Sequence, residues 1–288
     1  MDIADPYWVY LLRVGADLGI YGGGFHGPIF SGGSFEFVPI PDCEVDRKYR
    51  KTVYGRLIYG NTTDRQREHV FLDYIQNKSI KKKLRSECMH PDPDFAKATY
   101  GDLMKVRKDH SLKSVSKAAS LKFLKPGNLL VFCASLDPFN NVESKRALYM
   151  IGYFEVKEIH DFSARALSKE ERWKICREFR ERNSHCAIGK VDDMDSDQFK
   201  CLVLVEGIAK NSTLLDRAVQ LTDEDYRILP RWAKELGLNH TTFLRGGRWL
   251  PQRDREDLRK RKNYVLKLKE LLKEYGRYSQ HLRIASHH

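Results

Sequence analysis

Three short segments carry side chains able to do acid–base or recognition chemistry. In His90-Pro91-Asp92-Pro93-Asp94-Phe95 two carboxylates bracket a proline. Proline fixes its own φ and stiffens its neighbours, so Asp92 and Asp94 stand in a set relation. Each is a candidate general base, or an acceptor from a base edge. Each could equally cap a turn, or the helix expected over FAKATYGDL. His185 follows Asn183 by two residues, just after a predicted helix over KEERWKICREFRER. An imidazole there could exchange a proton or meet a phosphate; it could also satisfy a buried backbone group. Lys210, Asn211, Ser212 and Thr213 offer a cation and two hydroxyls, a phosphate-holding set, or a cap for a short helix over TLLDRA.

The opening of the chain is dense in glycine. Gly22-x-Gly24-x-x-Gly27 spells a dinucleotide fingerprint, but that motif needs a helix directly after the glycines. Here Pro28-Ile29-Phe30 and a further glycine pair follow, then a predicted strand. A Walker loop is absent as well. The expectation is instead a tight loop that brings backbone close to a ligand. Asp17, Tyr21, His26 and Ser31 would line it for a planar, hydrogen-bonding molecule such as a base. Cys88-x-His90 and His185-Cys186 have the residue types of two half zinc sites, yet their spacing fits no usual zinc module. Neither a metal nor a cofactor is expected. No Ser-His-Asp order, zinc-deaminase signature or HxExxH occurs.

Charge points to a polyanion. The net charge is +12. Residues 78 to 125 hold 13 Lys/Arg against 5 Asp/Glu, and residues 251 to 288 hold 11 against 5, so the basic excess lies in these two segments. Localised basic residues displace counterions from phosphates. Lys81, Lys82 and Lys83 fall in the first segment. Ahead of the second, Arg245-Gly246-Gly247-Arg248-Trp249 combines arginines able to bridge phosphates with a ring able to stack on an unpaired base; the same Trp249 could seal a core. The expected partner is nucleic acid, DNA rather than RNA, or a nucleotide. No apolar run is long enough to span a membrane, and MDIADPYWVYLL lacks the features of a signal peptide, so a cytoplasmic protein without a membrane partner is expected.

These residues need elements to position them. WVYLLRVGAD and SFEFVPIP read as strands, and residues 65 to 85 as a helix with Val70, Tyr74 and Ile75 on one face. LKPGNLLVFCASL reads as a turn and a buried strand, and ALYMIGYFEVKEI and KCLVLVEG as further strands. Residues 253 to 275 form a helix with a stripe of Leu258, Val265, Leu268, Leu272 and Tyr275. The fold class is α+β: a curved mixed or antiparallel sheet, or a β-barrel, with surrounding helices and a C-terminal helix. Residues 1–250 are expected to form one domain, and 251–288 a basic helical extension.

Several of these segments resemble one family. Arg13-x-Gly15-x-Asp17, then Pro28-Ile29-Phe30, Gly33 and Pro39-Ile40-Pro41, is similar to the opening of the nucleotide modification associated domain family, third type. The Asp-Pro-Asp segment, the paired strands around 129 and 150, Asn183-x-His185, Lys210-Asn211-Ser212, LPRWAKELGL and RGGRWL resemble later parts of that family. The resemblance implies a role in hypermodification of nucleic-acid bases, and brings Arg13 among the candidate nucleotide-binding residues. The strand pair after Pro126-Gly127-Asn128 is also similar to the core of PUA, ASCH and EVE-like domains, whose barrels bind RNA or modified bases. The combined expectation is a base or nucleotide binder in which the glycine loop, the HPDPD turn and Asn183–His185 converge on one pocket. An enzyme that itself alters a base, or a protein-interaction adaptor, is the alternative.

Overall fold

The computed structural model describes residues 7–15, 26–42, 58–59, 69–70, 78–84, 88–90, 92–104, 117–139, 146–164, 167–187, 201–235, 247–250 and 257–275. One eight-stranded mixed sheet organises them. Its strands are β1 (Val9–Arg13), β2 (Gly27–Ile29), β7 (Thr99–Leu103), β8 (Leu129–Pro138), β9 (Ala147–Asp161), β10 (Leu202–Gly207), β11 (Thr213–Gln220) and β12 (Gly247–Leu250). Two small ladders stand apart: β3 (Ile40–Asp42) with β6 (Cys88–His90), and β4 (Ile58–Tyr59) with β5 (His69–Val70).

The hairpin β8–β9 is the spine. Its residues 129–134 and 147–154 are almost wholly buried, as a strand covered on both faces requires. β1 and β2 run parallel along one edge of β8, at Val9↔Leu129 and Gly27↔Leu136. The fifteen-residue β9 outruns its partner and takes β10 and β11 along its other edge. β7 then closes that side on β10, with Gly101 opposite Leu204.

The sheet is curved and mixed, and among the described residues it does not close into a barrel. No ladder joins β1 to β7. α2 (Lys117–Leu121) fills the interval instead. Burial raises the pKa of the Tyr10 hydroxyl on β1; a hydrogen bond from Ser120 of α2 opposes this, and Asp102 of β7 adds to it. The edges therefore come within electrostatic reach around a helix.

Alternation on β10 sorts its side chains between two cores. Val203 and Val205 join the main core, where Phe132, Phe154 and Phe95 pack edge-to-face. Leu202 and Leu204 point the other way, to Phe162, Cys176, Phe179 and Cys186. That second core seats α3 (Lys169–Phe179) and α4 (Ser184–Ala187). α3 starts at a capping box: Ser168 Oγ accepts from Glu171 N, and the Glu171 carboxylate accepts from Ser168 N at 2.7 Å. Such reciprocal bonds satisfy two otherwise unpaired donors. α6 (Leu258–Tyr275) buries Val265, Leu268 and Leu272 and packs against β11. No helix among the described residues is long and apolar enough to cross a membrane.

Four local expectations are corrected. FAKATYGDL is a turn followed by β7, because Thr99–Leu103 pairs with β10. TLLDRA lies in strand β11, because the overhanging edge of β9 recruits it; long-range pairing overrides local preference. Residues 65–85 are not one helix: among the described residues of this stretch, His69–Val70 is a strand and α1 (Lys78–Leu84) is helical. SFEFVPIP is also less regular than expected, with a single bridge, Ile29↔Phe35, before β3.

Candidate functional site

The free edge of β7 is where separate parts of the chain meet. β7 ends the sheet order, so the N–H and C=O of Gly101 face away from β10. An unpaired edge in a buried place must find partners. Gly101 N donates to Asp92, 2.8 Å to Oδ2 and 3.1 Å to Oδ1. Gly101 O lies 3.1 Å from His185 Nε2. The glycine is required by space: a Cβ there would stand 2.6 Å from His185 Cδ2 and 3.0 Å from Asn183 Oδ1.

Each side chain is delivered by a recognisable local device. Asp92 precedes Pro93 in the turn that leads to the Asp94↔Thr99 bridge. Phe95 anchors this turn on the sheet, its ring lying where a Cβ on Gly152 would be 2.4 Å away. His185 sits in the first turn of α4, whose N-terminus Asn183 caps: Asn183 Oδ1 accepts from His185 N at 3.0 Å. That is the ordinary work of asparagine ahead of a helix. His90 comes from β6, paired at Ile40↔His90. Pro39-Ile40-Pro41, downstream of the glycine loop, thus runs beside the HPDPD segment.

The result is a tight cluster. His90 Nε2 is 3.1 Å from His185 Nε2, and Asp92 Oδ2 is 3.6 Å from the first and 3.3 Å from the second. The two rings meet edge-on, centroids 4.5 Å apart. Asp92 is 2% exposed. A carboxylate so buried needs charge or strong donors around it, and the two imidazoles and Gly101 N–H surround it. His185 is the most exposed of the three side chains, at 16%. Asn183 Nδ2 is buried and has no hydrogen-bond partner among the described residues.

The surroundings are less reactive. Asp94 Oδ1 accepts from Lys97 N at 3.0 Å and so closes a turn; burial raises its pKa against that bond. Cys186 and Cys176 are 3.3 Å apart, Sγ to Sγ. That hydrogen bond, burial and the nearby Asp92 all push the Cys186 thiol up, so it stays protonated. A second group, Glu158, His160 and Glu206, is an ion-pair network: Glu206 is bound by Arg182 at 2.6 Å and Lys157 at 3.1 Å.

The other described candidates lie on other elements. Arg13 is buried on β1, donates to Ser135 Oγ at 2.9 Å and stacks over Tyr226, on the opposite side of the sheet order from β7. His26 is half-buried and Ser31 exposed. Ser31 opens a turn in which Gly32 and Gly33 take φ of 80° and 85°, a region open to glycine. Gly27 serves close approach, since a Cβ would meet Glu36 O at 2.2 Å. Lys210 is exposed in the 3-10 turn Ala209–Asn211, and Ser212 follows it, past the end of β10. Arg248 and Trp249 lie in β12, at Leu11↔Arg248 and Tyr10↔Trp249. Lys82 is exposed and Lys81 half-buried on α1, which also holds Lys83. Asp17, Tyr21 and Arg245, with Gly22 and Gly24, lie outside the described residues. His90 completes the cluster without having been a candidate site residue; its two-residue spacing from Asp92 is the signal in the sequence that points to it.

Comparison with known families decides the lineage. The model of nucleotide modification associated domain 3 matches residues 9–265. The chain belongs to this family. The match runs from β1 into α6 and takes in all three cluster residues. No match was found among the curated proteins or the solved structures. Family membership links the chain to nucleotide modification.

Proposed function

We propose that the protein engages a nucleotide, or a base presented by nucleic acid, at the His90–Asp92–His185 cluster in the course of base modification. One observation carries the reading. Two segments singled out for their chemistry, 95 residues apart in the chain, meet at 3.1 Å on the free edge of β7. Two imidazoles and a buried carboxylate within hydrogen-bond reach of one another are groups that general acid–base chemistry uses. Asn183 Nδ2 adds a buried donor suited to a base edge. Exposed Lys82 on α1, and Arg259, Lys260, Lys262, Lys267 and Lys273 on α6, supply cations for a phosphate backbone, DNA rather than RNA being the expected partner.

The test is fluorescence anisotropy with single- and double-stranded DNA and RNA and with free nucleotides, over a salt series. A steep fall in affinity with salt and a preference for one base support the reading. Absence of binding to every probe at low salt removes it. The cluster itself favours a second reading, an enzyme in which His185 and Asp92 move protons on the base. In that case Asp92→Ala or His185→Ala abolishes product while binding persists.

A further inference from the structure

We propose that His90, Asp92 and His185 form a binding site for one divalent first-row transition cation. The inference concerns the same cluster but stands without the nucleotide. His90 Nε2, His185 Nε2 and Asp92 Oδ2 form a triangle with edges of 3.1, 3.3 and 3.6 Å. A point about 2 Å from all three atoms lies just off its plane, and that is the length of a zinc–imidazole or zinc–carboxylate bond. The edges are likewise those of one face of a tetrahedron built on bonds of about 2.0–2.1 Å. A proton on His185 Nε2 would serve only one contact, either His90 Nε2 or Gly101 O at 3.1 Å, and His185 gives up the bond to Gly101 O when it takes the ion. A cation uses all three lone pairs, and it neutralises the buried Asp92.

The donor set defines the ion class. Two imidazoles and one carboxylate suit zinc, iron(II), cobalt, nickel or manganese, whereas calcium and magnesium prefer all-oxygen shells. Three protein ligands leave room for a further one, the arrangement of catalytic rather than structural sites. Solvent reaches the cluster on the His185 side. Asn183 lies against Gly101 beside the His185 ring, and its buried Nδ2 has no hydrogen-bond partner among the described residues. Gly101 N–H fixes the Asp92 carboxylate, the outer-sphere support that ligands of bound metals receive.

The experiment loads the chelator-treated 288-residue chain with cobalt(II), without nucleotide, and reads its visible absorption and the bound metal by elemental analysis. One ion per chain with ligand-field bands is expected. His185→Ala should lose the bands and bind at least about a hundred-fold more weakly, since even outer-sphere changes cost ten- to a hundred-fold. It keeps His287 and His288, so metal held by the chain terminus would survive in it. His160→Gln, in the ion-pair network, should load normally. Should His185→Ala fail to fold by circular dichroism, His90→Gln makes the same comparison. Failure of the wild type to retain cobalt, or equal loading of wild type and a folded ligand variant, overturns the site. Because no nucleotide is present, neither result depends on the base-binding reading.

Discussion

Replacing Gly101 by alanine tests the cluster without removing any member of it. The added Cβ would lie 2.6 Å from His185 Cδ2, 3.0 Å from Asn183 Oδ1 and 3.1 Å from Leu204 Cδ2. Carbon atoms pack at about 3.5–4.0 Å, so the ring must retreat by about 1 Å. Overpacking of this kind costs about 1–3 kcal/mol. The same retreat far exceeds the roughly 0.2 Å tolerance of a metal–ligand distance, so cobalt(II) loading should fall with stability. Thermal and urea unfolding of wild type, Gly101→Ala, His185→Ala and the double variant form a cycle. Removing the ring relieves the closest clash, so the double variant should be less destabilised than the two single costs added, with a coupling of about 0.5–3 kcal/mol. Costs that simply add, or a Gly101→Ala protein as stable and as metal-competent as wild type, would refute the seating of His185 on β7.

Three further outcomes follow from the same geometry. Phe132 is wholly buried and packs against Phe95, Tyr100 and Phe154, so Phe132→Ala should cost about 3–5 kcal/mol in urea unfolding. His160 is held neutral: burial lowers its pKa below 6.5, against the pull of Glu158, Glu206 and Glu178, with Lys157 adding to the lowering. Its contribution to stability is therefore complete above about pH 6.5 and is lost as pH falls through the lower folded value. Unfolding of wild type and His160→Gln from pH 7.5 to 5 should show the smaller loss in the variant, and parallel curves would contradict this. If Trp249 stacks on an unpaired base, Trp249→Ala should weaken single-strand binding by roughly 1–3 kcal/mol, and unchanged affinity in the folded variant would exclude that role.

Much of the sheet was legible in the sequence because its central strands are marked by long buried runs. LLVFCASL and ALYMIGYF could hardly be anything but a covered hairpin, and LVLVEG carries the same signal. α3 and α6 were legible from their periodicity, and α3 also carries a Ser168/Glu171 capping pair. What escaped was decided by distant partners. TLLDRA carries no strong strand signal; it extends because β9 is fifteen residues long and leaves an edge open past β10. FAKATYGDL mixes helix formers with a glycine, and its second half is claimed by β10. The site divided in the same way. Asp92 was visible as a carboxylate beside a rigid proline turn, and Asn183 and His185 as polar residues just after a predicted helix. His90 was weighed only as half of a zinc module with Cys88, because spacing along the chain says nothing of a partner 95 residues away. Gly27 serves close approach to the chain's own Glu36 carbonyl, and Gly32 and Gly33 take positive φ; the expected approach to a ligand falls largely on residues outside those described.

The most direct test of the account is base discrimination by wild type and by folded His185→Ala, measured by anisotropy with one oligonucleotide set at fixed salt and again across the salt series. The account predicts that the variant loses the preference among bases or the modification of them, while the salt slope, set by lysines and arginines away from the cluster, stays unchanged. Identical affinity, discrimination and turnover in the two proteins would contradict it, and would move the site away from the edge of β7.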